Sequence, residues 1–432
     1  MSRFEFTRRD LMKTGASFAA APYLLNAQAS AAPKAKAKSV IQIWMWGGPS
    51  QIDTFDPKPR AGEDYCGPLD KEIGTNVDGI TVNAALPKLA KHADKYSIIR
   101  SMTHGTNAHE TASYLVQTGH KPTPGIVHPC AGAVVSLFKG RGKGYDKKLP
   151  PYIVLTEPQG RFSECGFLGL DYKPFATGGD PAKDPFEVSG IIAKGISEKR
   201  QQSRRQLLGK LDTLGKSASN LDIFKVAQSS RQEAYDMILG DTKDIFDLST
   251  EKKQTREMYG KNTFGQSCLM ARRLAEYGVP YITINYKGWD THKRHFETMK
   301  NKLPELDAGL SALFADLSDR GLLDSTIIWW GGEFGRGPKV QWNAPWNGGR
   351  SHHGSCFSVV VGGGGFQGGK VVGKSDEKAA KVAENPVHPQ QLLASMYTLM
   401  GIDPAAKLPN NRGLDEIVMP LAEGEGLLTE IM

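Results

Sequence analysis

SVIQIWMWGGPSQIDTFDP, residues 39–57, decides how this chain folds. Its first eight residues are a short apolar run, long enough for a buried strand and too short for a buried helix. Gly47-Gly48-Pro49 ends the run and turns the chain into a polar loop. Four further runs read the same way: YSIIR (96–100), YIVLT (152–156), YITINY (281–286) and STIIWW (325–330). FSVVV (357–361) is a sixth, closed by four glycines. Between them lie segments read as helices over 84–95, 110–118, 130–139, 262–277, 301–320 and 389–400. Residues 186–258 are polar and helical in pattern, and are read as an inserted or peripheral segment. Strands that alternate with helices predict an α/β domain with a central, mostly parallel sheet flanked by helices. No repeat of fixed period is present. In such sheets, sites form in the loops beyond the carboxyl ends of the strands.

The amino terminus reads as an address. Arg8-Arg9-Asp10-Leu11-Met12-Lys13 is a twin-arginine pattern, an apolar stretch follows to Leu25, and small residues in A-x-A form end at Ala29 or Ala31. We therefore expect residues 1–31 to be an export signal, 32–39 a flexible lead-in and 40–432 one domain, delivered to the periplasm or secreted. The 432-residue chain carries a net charge of +8, and loss of residues 1–31 leaves +6. The remaining charges are mixed along the chain, which does not support nucleic-acid binding. No uninterrupted apolar run of membrane-spanning length occurs, so no integral span is expected after signal cleavage. Five scattered Cys without a CxxC pair exclude a disulfide scaffold and a thiolate zinc site.

Five loops carry the candidate chemistry. The first holds Asp53 and Asp56, which suit a cation or a helix cap. After YSIIR come His104, Thr106, His109 and Thr111, just before a helix whose amino end favours an anion. After YITINY come Asp290, His292 and His295, a carboxylate and two imidazoles within six residues. Such sets hold zinc, manganese or iron. After STIIWW, Glu333 lies among glycines, and Arg336 offers a planar fork for an oxyanion. His352 and His353 precede FSVVV, so the long loop 337–349 must bring them back to the same edge.

Seven blocks together resemble one known family: GGPSQIDTFDPKP (47–59), RSMTHGTNAHETASYLVQTGH (100–120), FGQSCLMARRLAEYGVPYITI (264–284), GWDTH (288–292), GGEFGR (331–336), GGRSHHGSCFSVVVGGGG (348–365) and HPQQLLASMYTLMGIDP (388–404). In this order they resemble domain-of-unknown-function family 1501, exported bacterial proteins of the alkaline phosphatase and sulfatase superfamily. The resemblance implies an alkaline-phosphatase-like α/β domain and a divalent metal at the sheet edge. Zinc, manganese, calcium and magnesium are all open. It also implies cleavage of phosphate or sulfate esters, with an anionic ester such as a sulfated or phosphorylated glycan as substrate. The implied metal ligands are Asp53, Asp290, His292, Glu333 and His352, or His353 beside it.

The match departs from the superfamily at informative places. Phe334 stands where His is usual, and Ser351 where Asp is expected. His109 occupies the position of the sulfatase nucleophile, and the sulfatase Cys-x-Pro-x-Arg motif is absent. Three roles then stay open: His109 as nucleophile, His109 as ligand to a metal that activates water, or Thr111 or Thr106 as a hydroxyl nucleophile. Arg336 is expected to stabilise the charge on the transferred group. Two other classes remain, a degenerate member that binds a glycan or anion without turnover, and a transferase of phosphoryl-linked groups.

Overall fold

The computed structural model describes residues 34–157, 164–184, 186–188, 203, 242–410 and 413–432, all within the unit Pro33–Met432. Residues 1–31, read above as an export signal, and most of 186–258 lie outside the described residues. Eight strands form the central sheet. In spatial order they are Val371–Val372, Ser97–Met102, Phe357–Gly362, Thr326–Gly331, Ser39–Trp44, Tyr281–Asn285, Tyr152–Leu155 and Phe175–Ala176. Ser39–Trp44 lies at the centre, parallel to both of its neighbours, with Val40 beside Tyr281 and Ile327. Only Phe357–Gly362 runs antiparallel to its partners.

Period-two alternation sorts the side chains of each strand onto two faces. Ile41, Ile43, Ile153, Leu155, Ile282, Ile284, Ile328 and Trp330 enter one core, against helices Thr263–Tyr277 and His295–Asp319. Val40, Trp44, Tyr152, Val154, Tyr281, Ile327 and Trp329 enter the other, with Ala131–Lys139 and Pro389–Leu399. Both faces are covered, which is why the strands read as continuous apolar runs. All five cysteines are buried and unpaired. No helix among the described residues is long and apolar enough to cross a membrane.

Two helices differ from the sequence reading. The segment expected over 84–95 becomes turns and a 3-10 stretch at Leu89–Lys95, broken at His92. Pro87 restricts the residue before it and donates no amide, which disfavours a regular α-helix through 84–87. The helix expected from 301 starts at His295 and carries Pro304 in its interior. Proline removes one backbone hydrogen bond there. Burial of Met299, Leu303, Leu306 and Leu310 along one stripe outweighs that loss. Elsewhere the caps follow the sequence. The Asn262 side chain accepts a hydrogen bond from the Gly265 amide at 2.8 Å, and Gly119 closes His109–Thr118 in the left-handed conformation.

Candidate metal centre

The carboxyl edge of the sheet gathers the loops that follow Trp44, Met102, Asn285 and Gly331. His352 and His353 reach the same edge for a simple reason. The strand after them is antiparallel, so its amino end lies where the carboxyl ends of its neighbours lie. The pair is further fixed by a short ladder, His352 opposite Arg336 and His353 opposite Gly335.

Asp290 is the centre of the cluster. Its carboxylate lies 3.1 Å from His292 Nε2, 3.1 Å from His352 Nε2 and 3.4 Å from His109 Nε2. The Nε2 atoms of His292 and His352 are 2.8 Å apart. Donor atoms of His109, Asp290 and His352 all fall within 4.8 Å of one another. Tautomers are set from behind. A carboxylate and a carbonyl only accept, so His109 donates from Nδ1 to Glu333 Oε1 at 2.6 Å, and His352 donates from Nδ1 to the Asn107 carbonyl at 2.8 Å. Both neutral rings then turn an Nε2 lone pair toward the anionic Asp290. Lone pairs and a carboxylate converging at about 3 Å repel unless a proton, such as one on His292 Nε2, or a metal cation lies among them. Ligands about 2.0–2.1 Å from a tetrahedral ion sit roughly 3.3–3.4 Å apart. The donor set therefore fits a divalent ion, and the arrangement of Glu333 behind His109 matches the orienting partners of metal-bound imidazoles.

Without an ion, a proton takes that place. Hydrogen bonds to Asp290 and Glu333 push His109 up to about 9, against the effect of burial. Burial alone would raise Asp290, but the contacts with His109 and His352 and the Arg336 charge hold it far below the usual carboxylate range. Burial, then the Arg336 charge, lower His292.

Glu333 sits one step behind Asp290, not beside it. It is fully buried, accepts from the Gly47 amide at 2.9 Å and from His109, and its Oε2 has no hydrogen-bond partner among the described residues. Phe334, in the place where His is usual, is buried and stacks on His352 at 4.6 Å. Trp46 stacks on His109 at 5.5 Å. These rings wall the cluster and supply no donor.

Four expected site residues offer no free donor to the cluster: Arg336, His353, Asp53 and Thr111. Arg336 is fully buried, and donates to Asp290 Oδ1 at 2.7 Å and to the Gly47 carbonyl at 3.0 Å. A guanidinium engaged in this way is held against Asp290. His353 turns its Nε2 to the Ala380 carbonyl at 2.7 Å. Asp53 is fully buried between Arg350 and His295, at 2.8 and 2.9 Å, and takes a third hydrogen bond from Ser50. Burial pushes Asp53 upward, but Arg350 and His295 win and lower it. Its companion Asp56 binds Ser375 and Lys58. Thr111 is half-buried and lines a cavity of about 420 Å³ with Glu110, Tyr114 and Ile126, beside the helix that begins at His109.

The supporting residues are the harder ones to find in the sequence. His295 and Arg350 lie in or beside the candidate loops, but only their charge hints at a role. Arg350 donates its backbone amide to the Thr291 carbonyl at 3.1 Å, and its own carbonyl accepts from Arg336. His295 Nδ1 meets Thr291 Oγ1 at 2.6 Å. Asp53 thus holds Arg350 and His295, which hold Thr291, and Thr291 stands between Asp290 and His292.

Gly47 makes the approach possible. At φ +110°, a Cβ there would stand 2.1 Å from the Asp290 amide nitrogen. Gly47→Ala is therefore expected to shift the Asp290 loop, lower the thermal midpoint and weaken metal binding. Gly62 has φ +88° with nothing near its missing Cβ. Gly62→Ala meets the backbone cost alone, about 1–3 kcal/mol, so thermal melts and metal titrations of the two variants separate strain from displacement. Equal metal affinity in both would refute the steric argument.

A mostly parallel sheet with both faces covered and imidazoles and carboxylates converging at its carboxyl edge defines an α/β protein with a candidate site in the loops beyond its strand ends. The chain belongs to the family described as protein of unknown function (DUF1501), which matches residues 37–426. No curated protein matches the sequence. The chain is similar to solved structures at low identity. One is a protein in the alkaline phosphatase superfamily from Vibrio parahaemolyticus, at 11% identity and TM-score 0.40, covering 86% of this chain and 69% of that one. Another is the lipoteichoic acid synthase LtaP from Listeria monocytogenes, at 10% and 0.37, covering 91% and 77%. A third is the C-terminal periplasmic domain of EcEptC from Escherichia coli, in complex with Zn, at 8% and 0.36, covering 89% of each. Identities this low assign no role to any residue.

Proposed function

We propose that this chain is an exported, metal-dependent hydrolase of phosphate or sulfate esters, with a cluster built on Asp290, His109, His352 and His292. The reading rests above all on the two Nε2 lone pairs turned toward Asp290 by the Glu333 and Asn107 hydrogen bonds. These four residues would hold the ion, and Glu333 would orient His109. A divalent ion there supplies a Lewis acid for a phosphoryl or sulfuryl oxygen and acidifies water. The chain's own part is positional. Arg336 fixes Asp290, Phe334 and Trp46 exclude bulk water from one side, and the amino end of the His109–Thr118 helix favours an anionic group next to the cluster. The helix dipole thereby does what Arg336, engaged elsewhere, does not. No Ser or Cys hydroxyl or thiol belongs to the cluster among the described residues, which favours water over a covalent nucleophile. Thr111, at the cavity wall, is the hydroxyl to test against it.

The test is a screen of aryl phosphates, aryl phosphodiesters and aryl sulfates with Zn²⁺, Mn²⁺, Ca²⁺ and Mg²⁺. Metal-dependent turnover that survives Thr111→Ala supports water as the nucleophile. Stoichiometric metal with flat rates on every ester supports the second reading, a binder of anionic glycans, which the loss of a superfamily nucleophile at His109 favours.

The proton on His109 gives a further expected result. An ion entering the cluster displaces it, so affinity falls about tenfold for each pH unit below 9 while one proton is exchanged. Calorimetric Zn²⁺ titrations at pH 7.5 in two buffers of different ionisation enthalpy are expected to show about one proton released. Zero release would remove His109 from the ligand set.

A further inference from the structure

A second group of imidazoles and a carboxylate lies away from the Asp290 cluster. His120 follows the helix His109–Thr118, His128 precedes the helix Ala131–Lys139, and Glu416 comes from the carboxyl-terminal segment. One donor atom of each falls within 4.8 Å of the others. His128 is 5% exposed, and its orientation is fixed twice by one hydroxyl. Its backbone amide donates to Tyr114 Oη at 2.7 Å, and its Nδ1 meets the same oxygen at 3.0 Å. Whichever atom holds that proton, Nε2 is turned to Glu416 Oε2 at 3.3 Å.

That separation is informative. A charge-assisted hydrogen bond to a carboxylate closes to about 2.7–2.9 Å. Two ligands of one tetrahedral ion stand roughly 3.3–3.4 Å apart. His120 lies over His128 with ring centres 3.7 Å apart and planes within 4°. It is half-buried, and one of its ring nitrogens lies within 4.8 Å of the His128 and Glu416 donor atoms. A fixed second ring nitrogen, a buried imidazole, a partly exposed carboxylate and a half-buried third donor are the parts of a three-ligand site with an open position.

We propose that His120, His128 and Glu416 form a second divalent-metal site, separate from the Asp290 cluster and selective for an imidazole-binding ion such as Zn²⁺. Two neutral imidazoles and one carboxylate favour zinc over calcium or magnesium, which take oxygen donors. The site closes the base of the loop 121–127. That loop lines the 420 Å³ cavity beside Thr111, and the ion ties it to the carboxyl-terminal segment. The role is structural: it holds one wall of the cavity next to the candidate centre.

The test uses the full chain, stripped with chelator, reloaded with excess Zn²⁺, desalted and measured by elemental analysis. His120→Ala and Glu416→Gln are each expected to hold one zinc fewer than the parent protein, and to retain the zinc that Asp290→Ala removes. Limited proteolysis should then cut the 121–127 loop several-fold faster in both variants. If both variants keep the parent's full zinc complement, the proposal is overturned. If His120→Ala fails to fold, Glu416→Gln decides alone. The catalytic reading fails in a different variant, by retention of all zinc in Asp290→Ala.

Discussion

Asp290→Ala is expected to empty the candidate centre. Metal content should fall from near stoichiometric to the level left at other sites, and any metal-dependent ester cleavage should fall with it. The loss has a clear origin. Among the described residues, Asp290 supplies the only carboxylate within 3.4 Å of all three Nε2 atoms, whereas Glu333 meets His109 from behind, at Nδ1. Without it, His109 and His352 have no anionic centre to hold an ion. Arg336, fully buried, loses its carboxylate partner and adds repulsion. Removing an orienting partner of a metal ligand costs about 10–100-fold in affinity, so removal of this ligand is expected to cost more than about a hundredfold. Glu333→Gln makes the graded comparison. The amide keeps the shape but weakens the acceptor for His109, and the expected loss is within that 10–100-fold range. Zinc affinities measured by competition with a chromophoric chelator check both values. A Glu333→Gln loss larger than that of Asp290→Ala would reverse the assignment and make Glu333 the direct ligand.

Asp53→Asn should destabilise the fold more than Asp290→Ala, Glu333→Gln or Gly47→Ala does. Arg350 is fully buried, and its guanidinium meets Asp53 through Nε and Nη2 while also donating to the carbonyls of Gly337 and Tyr65. Removing one partner leaves a buried charge uncompensated, which costs about 3–5 kcal/mol. Denaturant melts of the metal-free protein measure it. The double change Asp53→Leu with Arg350→Met is expected to recover part of the loss, since an apolar pair of similar volume avoids desolvation altogether. A single-variant loss below about 1 kcal/mol would show the pair to be unimportant. The pH dependence has a definite sign. The folded-state pKa of Asp53 is lowered, so its contribution is present above the unfolded value near 3.8 and is lost as pH falls through the folded value. His109 behaves oppositely in the metal-free protein. Its contribution is present below about 6.5 and is lost as pH rises through about 9.

These two predictions divide what was expected of one set of residues. Asp53 and Asp290 look alike in the sequence, each an acid just past the end of a central strand. The tertiary structure separates them by their neighbours. Asp53 meets a buried guanidinium and a buried imidazole, which neutralise it. Asp290 meets three Nε2 atoms and remains 39% exposed. Arg336 is likewise set by its neighbours, because its backbone is paired with His352 and its side chain is enclosed.

From the residues alone, the alternation of apolar runs and amphipathic segments determined a two-faced parallel sheet, since burial on both faces demands side chains that are apolar at every strand position. The same reading determined which loops end at one edge, because all parallel strands share a direction. It also supplied every member of the cluster, His109 included. Only the tertiary structure decided which of those donors face one another. That choice depends on side-chain torsions and on long-range neighbours such as Gly47 against Asp290, and no local pattern encodes either. It also decided why His352 arrives there at all. Strand direction is a property of pairing between distant segments, so the reversed sense of Phe357–Gly362 became visible only when Val360 was found beside Trp330.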